Sequence, residues 1–299
     1  MLLFGLCYHL NVIHINMKSG FAVLVGRSNV GKSTLLNTLV GTKVAITTPK
    51  PQTTRHPVQG IVTKADGQIV FVDTPGFMQK SGDPLTKKLT HYITQSLQDI
   101  DVVIYVVDPT REIGDEEKKM LQIVRGTEKP TLMVINKMDD KVAAKYADFY
   151  RDLSKDFDET VEVSALTGFN VDLIVRWILK HLPEGELLFP AEQFTNLTTE
   201  ERVAEVIREK LFLRLREEVP YSVSVQVEEI VERPDGTIYI KAVIFTSEKR
   251  YERMIVGRGG QGIKEIGQST RRELQTISDK KIYLDLRVET DEYWVERME

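Results

Sequence analysis

Up to residue 183, short unbroken apolar runs alternate with stretches in which apolar residues recur every three or four positions. Phe21–Val25, Gln68–Val72, Val102–Val107, Thr131–Ile135 and Thr160–Val163 are short and rich in Val and Ile. They predict strands, most of them covered on both faces. Gly60–Thr63 and Gln68–Val72 flank Asp66-Gly67, a hairpin signal. Helical spacing appears over Lys32–Val40, where Leu35, Leu36 and Leu39 share a face, over Asp115–Arg125, and over Asn170–Leu182. In the last of these Leu173, Ile174, Trp177, Ile178 and Leu182 line up as core positions. Asp83 as N-cap and Pro84 as first helical residue predict a further helix to about Gln98. Strand and helix alternate, which predicts an α/β domain. Its doubly wound, mostly parallel sheet carries helices on both faces and one antiparallel hairpin strand.

The pattern changes after Pro183-Glu184-Gly185. A polar run to residue 199 reads as a linker. A charged amphipathic helix over 200–218 follows. Tyr221–Val231 then alternates as a strand, with Val223, Val225 and Val227 on one face and Ser222, Ser224 and Gln226 on the other. Pro234-Asp235-Gly236 turns the chain into a second strand, Thr237–Phe245. A short helix, a longer one over Gln261–Gln275 and a last strand over Lys281–Val288 complete an α-β-β-α-α-β order. The predicted organisation is an N-terminal extension at 1–17, an α/β domain at 18–183, a linker at 184–199 and a smaller α+β domain at 200–299.

A chain of 299 residues with 41% hydrophobic and 28% charged residues supplies apolar material for two cores. The net charge of −4 points to no nucleic-acid surface at the level of the whole chain, so any such surface is local. Cys7 is the single cysteine, which excludes a disulfide framework within the chain and a cysteine zinc cluster. The first sixteen residues carry no Lys, Arg, Asp or Glu. They lack the basic start and cleavage site of a signal peptide, and polar residues interrupt them before they reach membrane-spanning length. The reading preferred over an extra strand or a membrane-touching tail is an over-extended start, with Met17-Lys18-Ser19 the true beginning.

Candidate chemistry sits at the ends of the predicted strands. Gly26-Arg27-Ser28-Asn29-Val30-Gly31-Lys32-Ser33 matches the phosphate-loop pattern G-x-x-x-x-G-K-[ST] between the first strand and the first helix. Backbone N–H groups there can curl around a polyphosphate, glycines at 26 and 31 clear its approach, and the helix that carries Thr34 points its positive end at it. Lys32 places charge on the β- and γ-phosphates, and Ser33 offers a hydroxyl to magnesium. The Pro-interrupted run 42–56 is a loop where a nucleotide switch would sit, with Thr53 and Thr54 both candidates for a hydroxyl that senses the γ-phosphate. Asp73-Thr74-Pro75-Gly76 closes a strand. Asp73 suits magnesium, and Gly76 can offer an N–H to the γ-phosphate. Phe77 stands where many GTPases carry the Gln that positions water, so hydrolysis is expected to be slow or helped by another group. Lys32, Thr54 and Gly76 are the catalytic candidates.

Asn136-Lys137-Met138-Asp139 ends another strand. Guanine presents two adjacent donors that a single carboxylate, Asp139, can accept, and adenine does not. Asn136 supports that geometry, the Lys137 stem can cover the base, and a backbone N–H within Ser164-Ala165-Leu166 can meet the guanine carbonyl. In the second domain Gly257-Arg258-Gly259-Gly260 separates two helices, and seven Lys or Arg against two Glu fall between Lys249 and Arg272. A Gly-x-x-Gly in this position is what a KH fold uses to grip single-stranded nucleic acid. Gly257, Arg258, Gly259, Gly260, Lys264 and Arg271 are therefore the candidate RNA contacts.

Together G-R-S-N-V-G-K-S-T-L-L-N, P-Q-T-T-R-H, D-T-P-G-F, N-K-M-D, S-A-L, E-V-I-R-E-K-L-F with E-V-P-Y-S-V, and G-R-G-G-Q-G-I-K-E-I-G resemble the Era family of bacterial GTPases from Lys18 onward. The resemblance implies a Ras-like P-loop GTPase domain followed by a KH domain of type II. It implies a monomeric, cytoplasmic GTPase that binds the 3′ end of small-subunit ribosomal RNA and assists maturation of the small ribosomal subunit. It also implies a loose peripheral association with the inner face of the cell membrane. Ser33, Thr54 and Asp73 become the implied magnesium group, with the switch threonine mapped to Thr54. The P-loop asparagine of related GTPases helps hold a potassium ion that assists hydrolysis, and Asn29 stands at that position. Ser28 and Pro57 depart from the usual family residues, as does Arg287 in place of an aromatic. The alternatives are an RNA chaperone in which nucleotide only stabilises the chain, and a P-loop metabolic kinase.

Overall fold

The computed structural model describes residues 17–51, 53–55, 57–76 and 99–294. Residues 1–16 of the N-terminal extension, the helix expected from Asp83 to Gln98, and Phe77 lie outside the described residues. The first domain is built on a sheet of order β2-β3-β1-β4-β5-β6. Its strands are β1 (Lys18–Val25), β2 (Val58–Lys64), β3 (Gly67–Asp73), β4 (Val102–Val107), β5 (Thr131–Ile135) and β6 (Glu159–Glu162). All neighbours pair in parallel except β2 with β3. The apolar runs β3, β4 and β5 are buried along their whole lengths, the signature of a sheet covered on both faces.

On one face α1 (Lys32–Val40) and α4 (Val171–His181) press Leu35, Leu36, Ile174 and Ile178 against Leu24, Ile69, Phe71 and Ile104. On the other, α2 (Asp115–Arg125) and α3 (Ala144–Asp152) bring Met120, Val124 and Tyr150 onto Val23, Val103, Tyr105 and Met133. Alternate residues of each strand feed opposite cores, so the two packings are independent.

The run expected as a linker docks on the sheet. Phe189 N–H and Leu188 N–H both donate to Gln68 Oε1, at 2.9 Å each, and Ile61 N–H donates to Phe194 O at 3.0 Å. Gln59 N–H donates to Asn196 Oδ1 at 2.9 Å. The last two use N–H groups that the edge strand β2 would leave open, and the first two add the side-chain amide of Gln68 on β3.

The second domain opens with α5 (Thr199–Arg214), capped by Thr198 and Glu201 in a reciprocal capping box. The charged pattern predicts helix as far as residue 218, but the chain leaves the helix at Leu215, at φ −75° and ψ 157°, and Val219–Ser222 forms a separate 3-10 turn with Pro220 at its start. The sheet follows in order β7 (Val223–Glu232), β8 (Ile238–Thr246), β9 (Ile282–Thr290). β7 is antiparallel to β8, and β9 is parallel to it. A register shift between Val227 and Glu229 bulges β7, and Arg287, in the position where the family resemblance expected an aromatic, pairs with Glu228 at 2.8 Å there. α6 (Lys249–Val256) and α7 (Gln261–Ser278) cover one face through Tyr251, Ile255, Ile266 and Leu274.

Candidate functional site

Strand β1 ends at Val25, and the loop to α1 turns through Gly26, at φ +155°, and Gly31, at φ +97°. Both glycines clear a path for phosphate. Their immediate reason is packing. A Cβ on Gly26 would stand 2.3 Å from Val106 O, and one on Gly31 would stand 2.4 Å from Asn136 Nδ2. The loop is thereby clamped to β4 and to the base-recognition segment. Gly76 is equally constrained, since a Cβ there would meet Ser28 Cα at 2.6 Å.

Lys32 is buried, with Nζ donating to Gly26 O at 3.0 Å and Arg27 O at 3.2 Å. Burial pulls its ammonium down to about 8, against the opposing pull of Asp73 and Glu117. Ser33 Oγ donates to Asp73 Oδ2 at 2.6 Å, and Thr54 Oγ1 lies 3.0 Å from Ser33 Oγ and 3.3 Å from Asp73 Oδ2. Burial raises the Asp73 carboxyl above its ordinary range, with Lys32, Ser33 and Thr54 opposing. Its Oδ1 is buried and has no hydrogen-bond partner. Two hydroxyls and a half-satisfied carboxylate are a hard oxygen donor set, and the orphaned oxygen is what a small divalent cation would repair. Thr53, the other switch candidate, is turned away: its Oγ1 donates to Lys50 O at 2.8 Å and sits 2.7 Å from Thr48 Oγ1.

Arg27 lines the loop with its backbone only. Its guanidinium is buried behind the loop, donating to Glu112 O at 2.9 Å, with Nε 3.0 Å from Glu117 Oε2. Tyr105 donates to that glutamate as well, and Tyr150 Oη donates to it at 3.3 Å. Asn29, at φ +63°, donates from Nδ2 to Pro49 O at 2.8 Å and so joins the phosphate loop to the following loop. Ser28, Val30 and Thr34 complete the loop wall, and Thr74 Oγ1 donates to Leu24 O at 2.8 Å, holding the turn that carries Pro75.

At the end of β5, Asn136 Nδ2 donates to Val30 O, and Asn136 Oδ1 accepts from Ala165 N–H, both at 2.9 Å. One amide thus staples the phosphate loop to the Ser164 loop. Lys137, at φ +61°, reaches Asp108 Oδ2 at 2.6 Å and Asn29 O at 2.9 Å. Met138 N–H donates to Val163 O at 3.1 Å, and Asp139 Oδ1 accepts from Ser164 Oγ at 2.5 Å. Asp139 stays exposed with acceptor positions to spare. The N–H groups of Ser164 and Ala165 are both engaged, with Phe169 O and Asn136 Oδ1, and Leu166 is exposed beside them. Asp108, Arg111 and Glu117 hold these parts in place, and no short motif in the sequence marks them. Arg111, for instance, donates to Ser28 O at 2.9 Å.

The loop between α1 and β2 also grips the second domain. Arg55 is 3% exposed. Its guanidinium donates to Pro220 O at 3.0 Å, to Tyr221 O at 3.1 Å and to Val223 O, and lies over the rings of Phe212 and Trp294. Lys50 donates to Phe212 O and Leu215 O. Thr47 N–H donates to Glu209 Oε1 at 3.1 Å, and Lys43 bridges Glu209 at 2.7 Å and Glu273 at 2.5 Å. Burial raises the Glu209 carboxyl, but Lys210, Lys43 and the Thr47 amide outweigh it and hold the group below its ordinary value.

In the second domain, Gly257, Gly259 and Gly260 take φ of +72°, +58° and +76°. They form the turn that starts α7, and Arg258 is exposed on it. A groove of about 380 Å³ runs between α7 and the edge strand β9, lined by Lys264, Gln268, Arg271, Tyr283 and Leu286 among others. The structure therefore gathers Lys264 and Arg271 on one helix, and Arg258 on the turn that precedes it, beside an open strand edge.

Residues 21–137 match the model of the 50S ribosome-binding GTPase family, and residues 218–295 match that of the KH domain. The chain is 40% identical over 288 residues to GTPase Era of Halothermothrix orenii, covering 95% of this chain and 96% of that protein. It is 40% identical over 283 residues to GTPase Era of Carboxydothermus hydrogenoformans, covering 94% and 95%. A crystal structure of Era in complex with MgGDPNP and nucleotides 1506–1542 of 16S ribosomal RNA superimposes with a TM-score of 0.86 at 38% identity, over 94% of this chain and 96% of that one. An Aquifex aeolicus Era variant bound to GDP and AlF4− does so with a TM-score of 0.87 at 38% identity, over 94% and 97%. Fold, motif geometry and full-length similarity agree: this chain belongs to the GTPase Era family, a P-loop GTPase domain followed by a KH domain.

Proposed function

We propose that the protein is a GTP-driven switch whose KH domain holds the 3′ end of small-subunit ribosomal RNA during assembly of the small ribosomal subunit. The observation that carries this reading is that two consecutive residues serve the two halves. Thr54 Oγ1 sits at the Ser33–Asp73 pair, and the Arg55 guanidinium sits among three carbonyls of the second domain. A loop held at Thr54 by a γ-phosphate is held at Arg55 as well, and loss of that phosphate frees both.

Ser33, Thr54 and Asp73 are the residues that would hold magnesium, which when bound neutralises charge on the β- and γ-phosphates. Lys32 adds a second positive charge there, and Gly76 lets the chain approach without a side chain. Asp139 accepts from guanine. Because Ser164 and Ala165 N–H groups are engaged, a base carbonyl uses Leu166 N–H or displaces Ala165 from Asn136. Asn29 is the residue proposed for potassium. Its amide already braces the Pro49 carbonyl, so an ion there would also stiffen the switch loop. Gly257, Arg258, Gly259, Gly260, Lys264 and Arg271 form the proposed RNA contact, with phosphates along the start of α7. We place the protein in the cytoplasm, with peripheral attachment at the inner face of the membrane. Among the described residues no helix is long and apolar enough to cross one.

The deciding measurement is affinity for an RNA of nucleotides 1506–1542 of 16S ribosomal RNA with a GTP analogue, with GDP and with no nucleotide. Coupling through one loop predicts roughly tenfold tighter binding with the analogue. Equal affinity in all three states would leave the RNA-chaperone alternative standing instead.

A further inference from the structure

The KH sheet turns Ile282, Leu284 and Leu286 toward its helices, and so turns Tyr283 away from them. Tyr239 pairs with Tyr283 in the register of β8 and β9. The two rings stack with centroids 5.8 Å apart and planes 22° apart. The Arg233 guanidinium lies over both, 4.7 Å from the Tyr239 centroid and 5.1 Å from the Tyr283 centroid. Tyr283 is 53% exposed, and Arg233 is exposed too. A large ring left half in water on an edge strand adds little to the core. Tyr283 also lines the groove in which Lys264 and Arg271 lie.

We propose that Tyr283, Tyr239 and Arg233 form a stacking platform for one unpaired nucleobase, taken from the strand as it leaves the groove. This deepens the RNA reading above and rests on it. The groove can engage sugar and phosphate through Lys264 and Arg271, but it offers no aromatic face within its walls other than Tyr283 among the residues that line it. Every base has a π face, and a flat tyrosine pair with an arginine plane receives one without reading its hydrogen-bonding edge. Because Tyr283 belongs to the groove wall as well, that base is next in line on the same strand. Lys281 at the head of β9 adds a positive charge to the approach, whereas Lys280 pairs with Glu232 at 2.7 Å and Asp285, which also lines the groove, accepts from Tyr239 Oη at 3.3 Å. The platform therefore adds affinity without adding a phosphate contact.

The test uses the full chain with a GTP analogue and the RNA of nucleotides 1506–1542, titrated at several salt concentrations. Tyr283→Ala should weaken binding about 5- to 150-fold, the range of one lost base stack, with the salt slope unchanged. Tyr283→Phe should bind within about twofold of wild type, because the ring and not the hydroxyl is used. Lys264→Gln should lower the salt slope by about one. A second measurement starts from the unaltered chain. An abasic scan of the same RNA on the unaltered chain should find one position that costs a similar factor, and that position should cost nothing further in Tyr283→Ala. If Tyr283→Ala binds as wild type, if its loss follows the salt slope, or if Tyr283→Phe loses as much, the platform is overturned while the RNA reading stands. If the wild-type chain does not bind the RNA at all, both fall.

Discussion

Lys32 shows how a motif residue acquires chemistry from its surroundings. Burial brings its ammonium from an ordinary 10.5 down to about 8. Below that pH the lysine is charged with or without a nucleotide. Above it the empty site holds a neutral lysine that must take up a proton when a phosphate binds. GTP affinity is therefore expected to be flat up to about pH 8 and to fall by up to about tenfold per pH unit beyond it. Calorimetry in buffers of different ionisation enthalpy should register proton uptake at pH 9 and none at pH 7; no uptake at either pH would refute the assignment. The stability effect has the opposite sign. An unfolded chain binds more protons at this site between pH 8 and 10.5, so burial of Lys32 destabilises the empty protein less as pH rises through that window. The positions of Lys32, Asp73 and Asn136 were legible because each has fixed neighbours in sequence. The role of the Arg27 side chain was not legible. The motif places its backbone at the phosphates, but the side chain turns to Glu117, a residue on α2 that no local pattern connects to it.

Elements owe their ends to single residues. α5 stops at Arg214 and gives way to a 3-10 turn around Pro220, which exposes the carbonyls of Pro220, Tyr221 and Val223 to Arg55. A helix continued to residue 218 would shift that turn. The polar run after Pro183 reads as a linker from composition, yet Gln68 fastens it with three hydrogen bonds, two from its N–H groups and one to Phe189 O at 2.9 Å. Composition reports solubility and says nothing of a neighbouring strand's unfilled donors. The α6–α7 pair depends on Gly262, where a Cβ would stand 2.3 Å from Ile255 O and 2.9 Å from Val256 O. Both contacts are backbone, so neither can swing aside. Gly262→Ala should lower stability by about 1–3 kcal/mol and weaken RNA binding, because the Gly257–Gly260 turn must open. Thermal unfolding together with RNA titration would check this, and an unchanged melting temperature would contradict it.

At the scale of the whole molecule, Arg55 joins two domains that the sequence presents as separate. Burial pulls its guanidinium down, Arg208 adds to that, and Glu205 opposes it. An arginine keeps its charge regardless, so the buried cation depends on its three carbonyls and two rings. Arg55→Ala should bring the RNA affinities measured with GTP analogue and with GDP to within about twofold of each other. GTP affinity should move by less than about threefold, since Thr54 and the phosphate loop are untouched. Arg55→Lys should fall between, because it keeps the charge without the planar fork. Retention of the wild-type ratio in Arg55→Ala would remove this residue from the coupling.

The sequence by itself determined the two architectures, the phosphate loop, the guanine-reading segment and the glycine turn of the KH domain. Each is a local pattern, set by backbone conformation, periodicity or the spacing of a few side chains, and such patterns survive in one dimension. Only the tertiary structure decided that Thr54 and not Thr53 faces Asp73, that Arg27 points away from the phosphates, that the linker is a docked edge, and that Arg55 and Glu209 tie the switch loop to the second domain. Those outcomes rest on contacts between segments far apart in the chain. They are settled by which buried donors and acceptors remain unpaired once both domains have packed, and no residue's immediate neighbours carry that information.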